Sequence, residues 1–248
     1  MEVNFQKVKE QGMVLQNQLP WLELVAVGGT AAAMHAGHRF STDVDNVTPL
    51  LKSEFDLVAE TLGQWEGWKT HRFNKPIIIL GERHDVELGI RQQMRTIPLE
   101  KEICEGLVIP TVAETLRIKA FLLGKRKATR DYVDVAALSD FLGSEAALEA
   151  LVPLNAVYPA ESGLSALSQF AAMSKEAPFD LEDIILEQYK GIRPPYDRWQ
   201  HVQAVCSRLG HLVFELEMND PRIGNLADLS FQTVKSVKDY LNGISDEL

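Results

Sequence analysis

Apolar positions fall in short runs over the first hundred residues and in helical stripes thereafter. Leu24–Val27 is an apolar run that stops at Gly28-Gly29, which predicts a short buried strand. Residues 1–18 predict a helix, with Val3, Val8, Met13 and Leu15 loosely periodic. Thr30–Ala36 predicts a second helix, with Thr30 near its N-cap and Gly37 at its end. Ser41–Val47 reads as a strand that ends before Pro49. Ser53–Gln64 reads as a helix capped by Ser53, with Phe55, Val58 and Leu62 on one face. Three strands follow, Lys69–Phe73, Ile77–Leu80 and His84–Ile90. From Thr111 onward the period changes to that of helices: Thr111–Leu123, Thr129–Leu142, Ser144–Leu151, Leu164–Lys175, Leu181–Glu187, Tyr196–Glu217 and Ser230–Asn242. The pattern predicts an α+β chain (α/β-like in its first part). A small mixed-sheet domain over residues 1–108 is followed by a helical domain over 109–248.

Composition narrows the classes without choosing one. The chain has 248 residues, 46% of them apolar and 24% charged, which excludes a mainly disordered chain. No apolar run approaches the ~18 residues of a membrane span. The charged N-terminal stretch has no secretory pattern, and the two cysteines, Cys104 and Cys206, form no CxxC. A cytoplasmic protein with no membrane partner is therefore expected. The formal net charge of −10 does not suit a general nucleic-acid binder. One basic stretch stands against it: Arg117, Lys119, Lys125, Arg126, Lys127 and Arg130. It is read either as a polyanion contact or as solvated turn charge.

Four constellations carry candidate chemistry. Gly28-Gly29-Thr30 lies between a strand and a helix, where free N–H groups can meet a phosphate; a plain tight turn is the other reading. Asp43 and Asp45 are two apart on a strand and so share a face. Two such carboxylates repel unless a cation lies between them, and Mg²⁺ (or Mn²⁺) suits an all-oxygen pair. On His84–Ile90, Val86, Leu88 and Ile90 alternate with Asp85, Glu87 and Gly89. Asp85 or Glu87 is thereby a candidate third carboxylate, with Asp85 preferred. Lys119 falls on the stripe Val112, Leu116, Leu123, and Asp131 on the stripe Val135, Leu138, Leu142, with Asp134 beside it. Charges on core-facing stripes need partners or a ligand. An ion pair serves as well as a catalytic role. The sequence has no GxSxG and no GxxxxGK[ST].

Together these residues resemble the AbiEii-type toxin family of nucleotidyltransferases, within the polymerase-β-like superfamily. The resemblance runs from about Leu24 to Leu142. It rests on Gly28-Gly29-Thr30, on Arg39-Phe40-Ser41-Thr42-Asp43-Val44-Asp45, on a later strand carboxylate, on Lys119, and on Arg130-Asp131-Tyr132-Val133-Asp134. It implies Mg²⁺-dependent transfer of a nucleoside monophosphate from an NTP to an acceptor hydroxyl, on tRNA or protein in several members. It also implies a toxin paired with a cognate antitoxin. By the same resemblance Asp43, Asp45, Asp85, Lys119 and Asp131 are catalytic, and Asp43, Asp45, Asp85 and Glu87 hold metal. Gly28, Gly29, Thr30, Arg39, Ser41 and Lys119 bind nucleotide, with Arg39 either on phosphate or pinning the DxD loop. The chain departs from the pattern at Asn46, where the family more often has an aromatic or aliphatic residue. Residues 150–248 match no motif. A catalytically inactive binding protein on the same fold and a small-molecule (antibiotic-type) nucleotidyltransferase are the rival readings.

Overall fold

The structure, a computed structural model, describes residues 5–160 and 163–219. The helix expected over Ser230–Asn242 lies outside the described residues. The chain divides into two compact units. The first holds the chain up to Met34, Phe40–Met94 and Lys101–Pro110. The second holds His35–Arg39, Arg95–Glu100 and the chain from Thr111 on.

The first unit is built on a five-stranded mixed sheet of β1 (Val25–Val27), β2 (Asp43–Thr48), β3 (Trp68–Asn74), β4 (Ile78–Arg83) and β5 (Val86–Gln92), in the order β1-β2-β5-β4-β3. β2 and β5 run parallel; the other pairs are antiparallel. Alternation along β2 and β5 makes the sheet two-faced. Val44, Val86, Leu88 and Ile90 join a core with Val8 and Leu15 of α1 (Phe5–Gln18) and with Phe55, Val58 and Leu62 of α3 (Leu51–Gly63). Asp43, Asp45, Glu87 and Arg91 take the opposite face. Asn46 is on the core side, fully buried, and accepts a hydrogen bond from Gln16 Nε2 at 3.2 Å. Its Oδ1 is thereby partnered with a polar residue on α1, while its Nδ2 is buried without a hydrogen-bond partner.

Two hairpins decide the strand edges. β4 and β5 are joined by His84-Asp85, both with positive φ (50° and 60°), and Arg83 pairs with Val86. A two-residue hairpin loop with left-handed backbone at both positions is the tight turn whose twist matches the sheet, and Asp and His tolerate that conformation better than most residues. The strand expected from His84 therefore begins at Val86. A second hairpin, β6 (Lys101–Cys104) and β7 (Leu107–Pro110), turns at Glu105-Gly106, φ 48° and 85°. The hydrophobic pattern did not predict it.

α2 (Gly28–Ala36) starts at a glycine with φ +75°. α3 starts at Leu51 rather than Ser53, with no side-chain cap. The second unit packs α4 (Val112–Arg126), α5 (Thr129–Leu142), α6 (Ser144–Leu151), α7 (Leu154–Val157), α8 (Ala166–Met173) and α9 (Trp199–Asn219). Thr111 caps α4, accepting from Glu114 N–H. α8 and α9 approach closely: a Cβ on Gly210 would lie 1.8 Å from Ser174 Oγ. The helix expected over Leu181–Glu187 is instead two separate 3₁₀ turns, Leu181–Asp183 and Leu186–Gln188, which bury only Leu186. With no continuous apolar stripe to bury, a regular helix there has little to hold it.

Candidate active site

The carboxylate face of the first unit assembles from the β2–β5 register. Asp43 is paired with Glu87 and Asp45 with Gly89. Neighbouring strands lie ~5 Å apart, so the Asp43 and Glu87 side chains stand side by side on one face. Ser41 Oγ donates to Asp43 Oδ1 at 3.0 Å, which orients that carboxylate. Asp45 Oδ1 accepts from Arg91 Nε at 3.0 Å. Gly89 makes room for this: a Cβ there would lie 2.4 Å from Asp45 Oδ1. These residues line a cavity of about 140 Å³, whose walls include Asp43, Asp45, Glu87, Gly89, Arg91 and His71. His71 enters through a register irregularity between Thr70 and Arg72 on the edge strand β3. Such a bulge re-aims a side chain. Nothing in the polar run Trp68–Asn74 signalled this position, because a bulge leaves no mark on hydrophobic periodicity.

Asp85 is elsewhere. It sits in the hairpin turn, its side chain 77% exposed, 3.4 Å from Lys7 Nζ. Of the two candidates, Glu87 lies on the carboxylate face in register with Asp43, whereas the preferred Asp85 sits in the turn before β5, where the sequence alternation continues beyond the strand. Thr30 is buried and its hydroxyl donates to the Asp43 carbonyl at 2.6 Å. It fixes the start of β2, and its hydroxyl is not turned outward as a phosphate ligand. Gly28 and Gly29 open α2 as expected of a strand-to-helix turn.

Asp43, Asp45 and Glu87 share one face and offer only oxygen donors, the kind a hard divalent cation takes. Among the described residues no three His, Cys, Asp or Glu side chains converge as a metal cluster. The expected four-ligand set is therefore not preassembled. Asp85 is absent from it, and Asp45 is turned onto Arg91. The fit lies in the shared face, the cavity and the space over Gly89.

The other predicted residues form a buried charge cluster within the second unit. Arg39 donates to both oxygens of Asp134, from Nε at 2.8 Å and from Nη2 at 2.9 Å. His38 Nε2 is 2.9 Å from Asp134 Oδ1. Lys119 Nζ lies 2.7 Å from Asp134 and 3.3 Å from Asp131, and Arg126 forks onto Asp131 at 2.5 and 2.9 Å. Lys119, Asp131 and Asp134 are essentially solvent-free. Burial alone would raise the Asp134 carboxyl, but Arg39, Lys119 and the His38 hydrogen bond hold it well below the usual carboxylate range. Burial lowers His38; the Asp134 contact opposes this, and Arg39 and Lys119 add to the lowering. The pairing expected of Lys119 with Asp131 is present, with Asp134 the shorter partner. Each cation thus has a buried carboxylate partner in this cluster, Lys119 with Asp131 and Asp134, and Arg39 with Asp134. Of the basic turn, Arg126 is held by Asp131, Lys127 pairs with Glu176, and Lys125 lies over the Phe121 ring at 5.7 Å.

Two solved structures share this architecture. JHP933 from Helicobacter pylori is 16% identical, covers 92% of this chain and 98% of its own, and gives a TM-score of 0.53. A nucleotidyltransferase candidate from the same organism is also 16% identical, covers 93% and 98%, and gives a TM-score of 0.50. The chain shares the fold of these two structures. At this identity the likeness carries the fold alone. No protein-family model matches the chain. Among curated proteins, the heme uptake protein MmpL11 of Mycobacterium tuberculosis is 28% identical over 144 residues, 58% of this chain. The chain spans 14% of that protein's length. Among the described residues no helix is long and apolar enough to cross a membrane.

Proposed function

We propose that this protein transfers a nucleoside monophosphate from an NTP to an acceptor hydroxyl, as the AbiEii-type resemblance implies. The observation that carries the reading is the Asp43-x-Asp45 stripe with Glu87 in register beside it, facing a cavity on the sheet of a nucleotidyltransferase fold. Asp43 and Asp45 would hold Mg²⁺ or Mn²⁺, with Glu87 completing the acidic set. The bound cation would neutralise triphosphate charge and orient the in-line displacement. Ser41 keeps Asp43 turned to the cavity, Thr30 fixes the β2 entry, and Glu87 would accept the acceptor's proton. The acceptor is tRNA or protein on this reading, and a cognate antitoxin would be the partner that restrains the enzyme.

The test is incubation of the purified protein with each α-labelled NTP, Mg²⁺ or Mn²⁺, and total RNA or total protein. Label in one macromolecular fraction, lost in Asp43→Asn, supports the reading. Label only in small molecules favours the antibiotic-type alternative. NTP binding with no transfer to any acceptor favours a binding protein on the same fold.

A further inference from the structure

The two carboxylates of the β2 stripe are held by different kinds of group. Asp43 is oriented by the neutral Ser41 hydroxyl, whereas Asp45 is held by the guanidinium of Arg91 at 3.0 Å. The sequence dictates this. β5 presents Glu87, Gly89 and Arg91 on one face, and the parallel register sets Gly89 opposite Asp45 with Arg91 two positions further along. Without a Cβ at position 89, Asp45 Oδ1 lies in the space that any other residue would fill, within reach of Arg91. The pair is 39% and 34% exposed, so it can exchange for other partners. It also sits in the wall of the cavity that the carboxylates face.

We infer that Arg91 is a built-in counter-ion that competes with the divalent cation for Asp45 and, once released, serves the triphosphate. The inference rests on the NTP-transfer reading above. In the cation-free protein, Asp43 and Glu87 stand side by side with Asp45 next along the stripe, and like charges so placed repel. Arg91 offsets that repulsion locally. A cation bound to Asp45 takes over the same task, and the freed guanidinium remains at the cavity with planar donors that match phosphate oxygens. Cation alone therefore binds against a competitor, whereas cation and nucleotide together leave every charge partnered. The two ligands become coupled, each raising the affinity for the other.

The test is Mn²⁺ binding to the full chain, by electron paramagnetic resonance or calorimetry, with and without a non-hydrolysable NTP. Asp45→Asn serves as the reference. Without nucleotide, Arg91→Gln should bind Mn²⁺ about five-fold tighter than wild type, the equivalent of ~1 kcal/mol for an exposed ion pair lost. Arg91→Lys, which keeps the charge, should stay near wild type. With nucleotide, Arg91→Gln should lose most of the mutual enhancement. Unchanged or weaker Mn²⁺ binding in a folded Arg91→Gln overturns the inference, as does full retention of the coupling. If wild type binds Mn²⁺ and Asp45→Asn does not, the underlying reading stands whatever Arg91 does. If neither differs, that reading fails and this inference with it.

Discussion

Asp85 and Glu87 are two residues apart, yet one shapes a turn and the other faces the carboxylate stripe. Their separation gives a sharp residue-scale prediction. Glu87→Gln should lower nucleotidyl transfer by about 10²-fold or more, the usual weight of a positioned acid–base or charge-stabilising group. Asp85→Asn should leave it within about two-fold, since an exposed pair with Lys7 contributes little. Initial rates of the two variants check this. Gly89→Ala makes the complementary case. Its Cβ would displace the Asp45 carboxylate, so transfer should fall about ten-fold or more while overpacking costs about 1–3 kcal/mol. Rates beside melting curves separate the two effects. The Asp43–Asp45 stripe was legible in the sequence because a strand's period is two. The cut between Asp85 and Glu87 was not, because alternation continues past a strand's end and only the left-handed turn stops it.

At the scale of elements, α4 and α5 each bring charge into a buried layer, and the cluster closes on itself. Helical spacing alone put Lys119 and Asp131 on core-facing stripes. It could not supply the long-range partners, since Arg39 and His38 come from a segment about 95 residues away in sequence. Lys119→Met removes one cation from between two buried carboxylates. It should destabilise by about 3–5 kcal/mol, the range for breaking a buried pair, and leave NTP affinity in the surviving folded protein unchanged. Chemical denaturation and nucleotide titration at low temperature check this. A folded variant with weakened NTP binding would return Lys119 to the nucleotide. The long helices of the second unit and the strands of the first were legible from periodicity. The β6–β7 hairpin was not, because its four-residue strands and Glu-Gly turn are too short to establish a period. The 3₁₀ turns of Leu181–Gln188 were misread for the opposite reason: Leu181, Ile184 and Ile185 fall at helical spacing, yet none of the three is buried.

For the molecule as a whole, the burial of His38, and the cations that surround Asp134, couple folding to pH. Both groups are lowered in the folded protein, so the unfolded chain binds protons first as pH falls. Stability is therefore fully present above the ordinary histidine value of 6.5 and declines below it as His38 becomes the costlier site to leave neutral. Asp134 adds a second loss at more acid pH, below ~3.9. Melting temperatures should drop between about pH 7 and 5, and His38→Gln should flatten that drop while lowering stability at neutral pH. Every proposal above requires that the carboxylate face move the α-phosphate of an NTP. Parallel reactions with α-labelled and γ-labelled NTP, in wild type and Asp43→Asn, test it most directly. Covalent label is expected on the acceptor from the α position alone, and none in Asp43→Asn. Label from the γ position, or α-label undiminished in Asp43→Asn, would contradict it.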